Sequence, residues 1–178
     1  MPTPDKIALL KLKALNHKPL IYAELDFVIE TLKSPTPNRS LTFLEILPKT
    51  NILYFLNSFA DYALATQKKI IPLLSIHHSH RIYGFLFNLF FTTKNQELQD
   101  LLMVCLANTT YFILPFIFIY LGSKEPETQK RLKILMSKIN IEKYRIQLKI
   151  LPKIPFEKKF REVYGDQVID QILKPTRT

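Results

Sequence analysis

Apolar residues recur every three to four positions along most of the chain, and prolines punctuate the stretches in which they do so. Thr3-Pro4-Asp5 reads as a cap, a first-turn proline and an acid set against the positive helix end, which predicts a helix to about Leu15. Pro19 opens the next. There Ile21, Leu25, Val28, Ile29 and Leu32 form one apolar stripe, while Glu24, Asp26 and Glu30 fall off it. The stretch SPTPNRS, residues 34–40, reads as a loop because two prolines among small, cap-forming residues defeat helix and strand alike. A short apolar piece, Leu41 to Leu47, leads to Pro48. Beyond it a helix from about Asn51 to Lys69 presents Ile52, Phe55, Leu56, Phe59 and Ala63 on one side. Pro72 is expected to interrupt the chain again.

An apolar run containing three histidines and Arg81 follows, then TTKNQELQD, which reads as a turn plus a polar first helical turn. From Leu101 to Gly122 no charged residue occurs, and Gly122 with Ser123 should end a helix over about 101–121. Pro126 and Glu127 open another, with Leu132, Leu135, Met136 and Ile139 on its apolar face. Residues 144–150, YRIQLKI, alternate as a strand would, yet Ile141, Tyr144, Leu148 and Leu151 also fit helical spacing. A lone strand lacks a partner, so helix is the reading and a short strand the alternative. FEKKFREVYGDQVIDQIL reads as two short helices hinged at Gly165. The expected fold is all-α: an irregular bundle of about seven to eight helices around the apolar helix at 101–121. Residues 1–122 would form a helical core, and 123–178 a basic helical segment packed on it as one domain.

The uncharged stretch admits two main readings. Twenty-one helical residues rise roughly 32 Å, enough to cross a hydrocarbon layer of about 30 Å. Its twelve Leu, Ile, Phe and Val residues supply something like −4 to −7 kcal/mol toward insertion, before Asn108, Thr109, Thr110 and Pro115 are set against it. Topology opposes this reading, because either orientation sends many Lys and Arg residues across. A helix apolar all round also suits the centre of a multi-helix domain, where the single-striped helices find something to pack on. An interfacial or partner-covered hydrophobic surface is the third alternative. In the core reading Asn108 and both threonines need hydrogen-bond partners, and Pro115 should kink the helix and free a carbonyl near Tyr111.

Composition narrows the class without naming a reaction. At 47% hydrophobic and 22% charged, the 178-residue chain is a folded one, rich in Phe and without Trp. Its lone cysteine, Cys105, lies in the apolar stretch and fits an intracellular reducing compartment such as the cytoplasm, with membrane association as the alternative. The first residues show no secretory pattern. The net charge of +10 points to acidic partners: a protein face, an anionic membrane or nucleic acid. Fourteen Lys and Arg against seven Asp and Glu follow Gly122, so the surplus is mainly C-terminal.

Candidate chemistry is sparse. His77 and His80 could share a helical face and ligate a metal, but His78 points elsewhere, and a solvated cluster or a pH-sensitive one competes with that reading. Neither a Ser nucleophile elbow nor a Gly-rich phosphate loop occurs, and nothing calls for a cofactor or nominates a catalytic residue. The basic set is Lys124, Lys130, Arg131, Lys133, Lys138, Lys143, Arg145, Lys149, Lys158, Lys159 and Arg161. Interleaved with Tyr144, Phe156, Phe160 and Tyr164, it could form a binding surface, or simply the wet side of short helices. The expected function is a non-catalytic interaction protein, an adaptor or assembly factor engaging another macromolecule through helical surfaces and this basic region. The alternatives are a membrane-associated protein with 101–121 in the bilayer, and a nucleic-acid-binding protein.

Overall fold

The computed structural model describes residues 4–33, 49–145, 148 and 157–173 of the 178. The cap at Thr3, the loop over 34–40 and the apolar piece at 41–47 lie outside them. Among the described residues ten α-helices follow one another: α1 (Pro4–Leu15), α2 (Tyr22–Lys33), α3 (Lys49–Asn57), α4 (Leu64–Ile76), α5 (His80–Thr92), α6 (Gln96–Asn108), α7 (Leu114–Leu121), α8 (Pro126–Lys138), α9 (Glu157–Tyr164) and α10 (Asp166–Leu173). Short 3-10 turns lie at Phe59–Asp61 and Ile141–Tyr144. The class is all-α, with more helices than the seven to eight expected, because two long apolar stretches each divide.

The first division removes the central helix expected over 101–121. α6 stops at Asn108, and α7 begins only at Leu114. Local polar groups stop it. The Asn108 amide donates back to the Val104 carbonyl at 3.0 Å, and the Thr109 hydroxyl accepts the Tyr111 N–H at 3.0 Å, so both compete with helix continuation. The Tyr83 hydroxyl donates to the Ser75 carbonyl at 2.7 Å and receives the Thr109 hydroxyl, burying the corner. Pro115 does not kink a continuing helix. It sits in the first turn of α7, where its missing N–H leaves no bond unmade. The carbonyl of Tyr111, four residues before it, is taken by the Tyr144 hydroxyl at 3.0 Å.

Helices of 13 and 8 residues rise roughly 20 and 12 Å, well short of a hydrocarbon layer of about 30 Å. No helix among the described residues is long and apolar enough to cross a membrane, and the continuous helix expected over 101–121 is not formed. Nor is α6 enclosed all round. Leu98, Leu102 and Leu106 are buried, whereas Val104 is 57% exposed.

The second division falls at Asn57. Instead of one helix from Asn51 to Lys69, α3 ends, the 3-10 turn carries buried Phe59 inward, and α4 starts at Leu64. Gln67 donates its amide to the Phe59 carbonyl at 3.0 Å and fixes the corner, leaving Ala63 exposed. Pro72, expected as a break, lies inside α4. An interior proline costs about 3 kcal/mol, but its neighbours Ile70, Ile71, Leu73 and Leu74 are all buried, at roughly 1.5–3 kcal/mol each. Packing wins.

Several other elements follow the periodicity. α1, α8 and the α9–α10 pair have the expected bounds, and Leu132, Leu135, Met136 and Ile139 are buried. Gly165 adopts φ +83 between α9 and α10, a left-handed conformation that glycine takes without strain. Asn95 caps α6 by accepting the Leu98 N–H at 3.0 Å. In the second stripe Leu25, Val28 and Ile29 are buried, but Ile21 is 63% exposed and Leu20 turns inward instead. The reason is that α2 begins at Tyr22, and Ile21 precedes it, donating its N–H to the Glu24 carboxylate at 2.8 Å. Tyr144 closes a 3-10 turn and Arg145 continues it with helical backbone. No strand occurs among the described residues, and most of the 144–150 stretch lies outside them.

α6 is the hub, packing on α4, α5 and α8. α4 also meets α2 and α5, α7 lies against α5 and α8, and α9 joins α8 to α10. The interior is aromatic: Phe87 stacks on Phe116 with centroids 5.2 Å apart, and Tyr83 stacks on Tyr111 at 4.4 Å.

Candidate interaction site

The basic residues divide into those that hold the fold and those that face water. Arg131, on the half-buried side of α8, donates through Nη1 to the carbonyls of Phe90, Phe91 and Thr93 at 3.0–3.2 Å, closing the C-terminal end of α5. Its Nε also meets Glu127 at 3.1 Å. Lys143 donates to the carbonyls of Ala107 and Thr109 at 3.1 and 2.7 Å, closing α6. Burial pulls its pKa below the ordinary lysine value. Lys159 donates to the Leu121 carbonyl at 2.9 Å and to the Gln129 side-chain oxygen at 2.7 Å, closing α7. Each places a cation where unpaired carbonyls and the helix dipole concentrate negative potential.

Arg161 links α9 to α10 through Glu157, Asp166 and Asp170, which hold its guanidinium above the usual arginine range. Arg145 pairs with Glu142 at 3.0 Å on the surface. Lys124, Lys130, Lys133, Lys138 and Lys158 are exposed and make no ion pair or side-chain hydrogen bond among the described residues. Lys149 lies outside them.

Two of the free lysines border a cleft of about 330 Å³ between α8 and α9. Its apolar lining comes from Leu121, Leu132, Met136 and Val163. Lys130, Lys133, Lys159 and Glu162 supply the charged groups, and Gln129 joins them near the end of α7. Helical spacing explains the arrangement: Gln129, Lys130, Lys133 and Met136 share one side of α8, and Lys159, Glu162 and Val163 one side of α9. The walls are held by Tyr164, whose hydroxyl donates to the Met136 carbonyl at 2.6 Å, and by Phe160, which is buried. Burial pushes the Tyr164 phenol well above its ordinary pKa.

The sequence pattern names the lysines, but Gln129, Glu162 and Val163 are legible as site residues only once α9 is known to lie along α8. The charged helix-end caps carry no sequence signal, since each donor stands 34 to 41 residues from its acceptor.

The histidines do not converge. His77 ends α4 with extended backbone, and His80 begins α5, so the two do not share a helical turn. His80 packs its ring on Phe116 at 4.6 Å, and His78 meets the Thr110 hydroxyl at 3.1 Å. Among the described residues no group of three or more His, Cys, Asp or Glu side chains is placed to hold a metal ion. Cys105 is partly buried on α6, and desolvation raises its thiol pKa despite a hydrogen bond with Ser75.

No family model, curated protein or solved structure matches this chain.

Proposed function

We propose that the protein is a non-catalytic interaction module, an adaptor or assembly factor in an intracellular reducing compartment, which takes an acidic amphipathic segment of a partner protein into the α8–α9 cleft. The observation that carries this reading is an apolar floor of Leu121, Leu132, Met136 and Val163 edged by Lys130 and Lys133, whose ammonium groups have no partner among the described residues. An amphipathic helix would set its Leu or Ile side chains on that floor. Flanking carboxylates would meet the two lysines and fix orientation and encounter rate. Lys159, already bound to Leu121 and Gln129, shapes the wall rather than reaching for the partner. The half-buried Cys105, with no second cysteine in the chain to pair with, suits the compartment.

The test uses fluorescein-labelled helical peptides with Leu anchors four residues apart, flanked by Glu in one series and Lys in the other. The Glu series should bind, and K130E/K133E should weaken it by about tenfold or more. Equal binding of both series, or an unaffected variant, defeats the reading. Affinity capture with and without nuclease separates the nucleic-acid alternative, which requires nuclease-sensitive recovery and a steep loss of affinity with salt.

A further inference from the structure

α1 is apolar on two opposite sides, and a single buried stripe accounts for only one of them. At about 100° per residue, Ala8, Leu9, Leu12 and Leu15 span an outward arc of roughly 120°, diametrically opposite the arc of Leu10 and Ala14. Leu10 and Ala14 are buried, whereas Leu9, Leu12 and Leu15 are 66%, 58% and 53% exposed. The turn into α2 adds Ile21 and Tyr22, also largely exposed. Lysines edge this surface. Lys11 lies on one border of the outward arc and Lys6 and Lys13 on the other, with Lys18 in the turn. Lys6 rests over the Phe27 ring at 4.2 Å, and Lys13 pairs with Glu24 at 2.7 Å, so α1 is anchored to α2, and among the described residues nothing covers its outward side.

The geometry points to the outward face of α1 and the turn to Tyr22 as a peripheral docking surface for an anionic lipid bilayer. The outward side of a single helix is convex, which suits insertion between lipid chains, where each leucine finds its own space. Lys11 and Lys18 can bury their stems and lift their ammonium groups to the phosphate level, while Lys6 and Lys13 stay engaged with α2. Tyr22 places an amphipathic ring at the same boundary. A second copy of this chain is the poorer occupant, because apposed α1 faces would bring their lysine borders together. This surface lies on α1 and the turn after it, apart from the α8–α9 cleft, so the two readings stand or fall separately.

Flotation of the full chain with liposomes provides the test. The protein should float with vesicles of phosphatidylcholine containing about 30% phosphatidylserine, and should not float with phosphatidylcholine alone. L9S/L12S/L15S should stay at the bottom of the gradient, with a drop in partitioning of about tenfold or more and an unchanged far-UV spectrum. K130E/K133E should float like the unaltered chain. Should the triple variant lose its thermal transition, L9S and L12S separately should each lower partitioning by about threefold. The proposal is overturned by equal flotation on uncharged vesicles, by flotation of the leucine variants, by loss of flotation in K130E/K133E, or by a protein that binds neither vesicle. A dimer in sedimentation equilibrium that L9S/L12S/L15S dissolves would overturn it as well.

Discussion

Asn51 is 5% exposed, and its amide meets both polar atoms of one residue: Nδ2 donates to the Leu20 carbonyl, and Oδ1 accepts the Leu20 N–H, each at 2.9 Å. The turn before α2 is thereby bound to α3 as one peptide group binds another in a ladder. Asn51→Leu keeps the bulk but orphans two backbone groups, so it should lower unfolding free energy by about 2–4 kcal/mol in urea titrations. Tyr144 behaves differently, because its effect appears with pH. Burial is the main cause that pushes its phenol up to about 12, from about 10 in an unfolded chain. A raised folded-state value means that the neutral phenol stabilises the fold fully below pH 10, and that this contribution is lost as pH rises from about 10 through 12. Urea midpoints should therefore fall more steeply across that window in the unaltered chain than in Tyr144→Phe. A parallel decline in the two would show that the phenol ionises alike in both states. Neither role is visible in the sequence: Asn51 looks like a surface helix start, and Tyr144 like a member of an ambiguous alternation or of an aromatic-basic surface.

Two prolines show how far element boundaries can be read from sequence, and where such reading stops. Pro72 has the signature of a break and sits inside α4, whereas Pro115 has the signature of a kink and opens α7. The reading of Pro72 fails because the local sequence does not show that four aliphatic neighbours are buried and hold the helix through it. The reading of 101–121 fails because apolar character continues through Tyr111, Phe112 and Ile113, which hides the turn. The expected kink that would free the Tyr111 carbonyl fails with it, because Tyr111 lies in the turn between α6 and α7, where its carbonyl accepts the Tyr144 hydroxyl. Substitutions at the two sites should have opposite signs. Pro72→Ala restores a hydrogen bond within a helix and should stabilise by about 1–3 kcal/mol. Pro115→Ala removes only the stiffening of a first turn and should destabilise by about 0.4–1 kcal/mol. Stabilisation by Pro115→Ala on the scale of Pro72→Ala would mean that α6 and α7 run together after all. Thermal melts of the two single variants decide the matter.

Across the whole molecule, the C-terminal half supplies the donors that finish the earlier helices. Arg131 closes α5, Lys143 closes α6, Lys159 with Gln129 closes α7, and the Tyr144 hydroxyl donates to the Tyr111 carbonyl in the turn between α6 and α7. Each of these groups comes from beyond Gly122, and each acceptor lies within or just after α5, α6 and α7. The charge surplus that composition reads as a partner-facing surface is therefore in part internal wiring, which no count of lysines can separate from free charge. α8 also buries Leu132, Leu135 and Met136, while packing on α6 and α7. A chain ending at Gly122 would leave several backbone carbonyls without their donors, each costing about 1–3 kcal/mol where water cannot replace them. It would also expose the apolar sides of α6 and α7 that α8 covers. Those losses together match or exceed the 5–15 kcal/mol that holds a typical domain. The fragment 1–122 should accordingly show helical far-UV intensity without a cooperative thermal transition, while the full chain melts in one step whose midpoint is the same by far-UV and near-UV signals. A cooperative melt of the fragment within about 5 °C of the full chain would show that the helix ends are adequately closed by solvent. Arg131→Met in the full chain then apportions the effect: losing three carbonyl contacts while keeping the hydrophobic stem should cost about 2–3 kcal/mol, a measure of how much of the coupling runs through charge rather than through buried area.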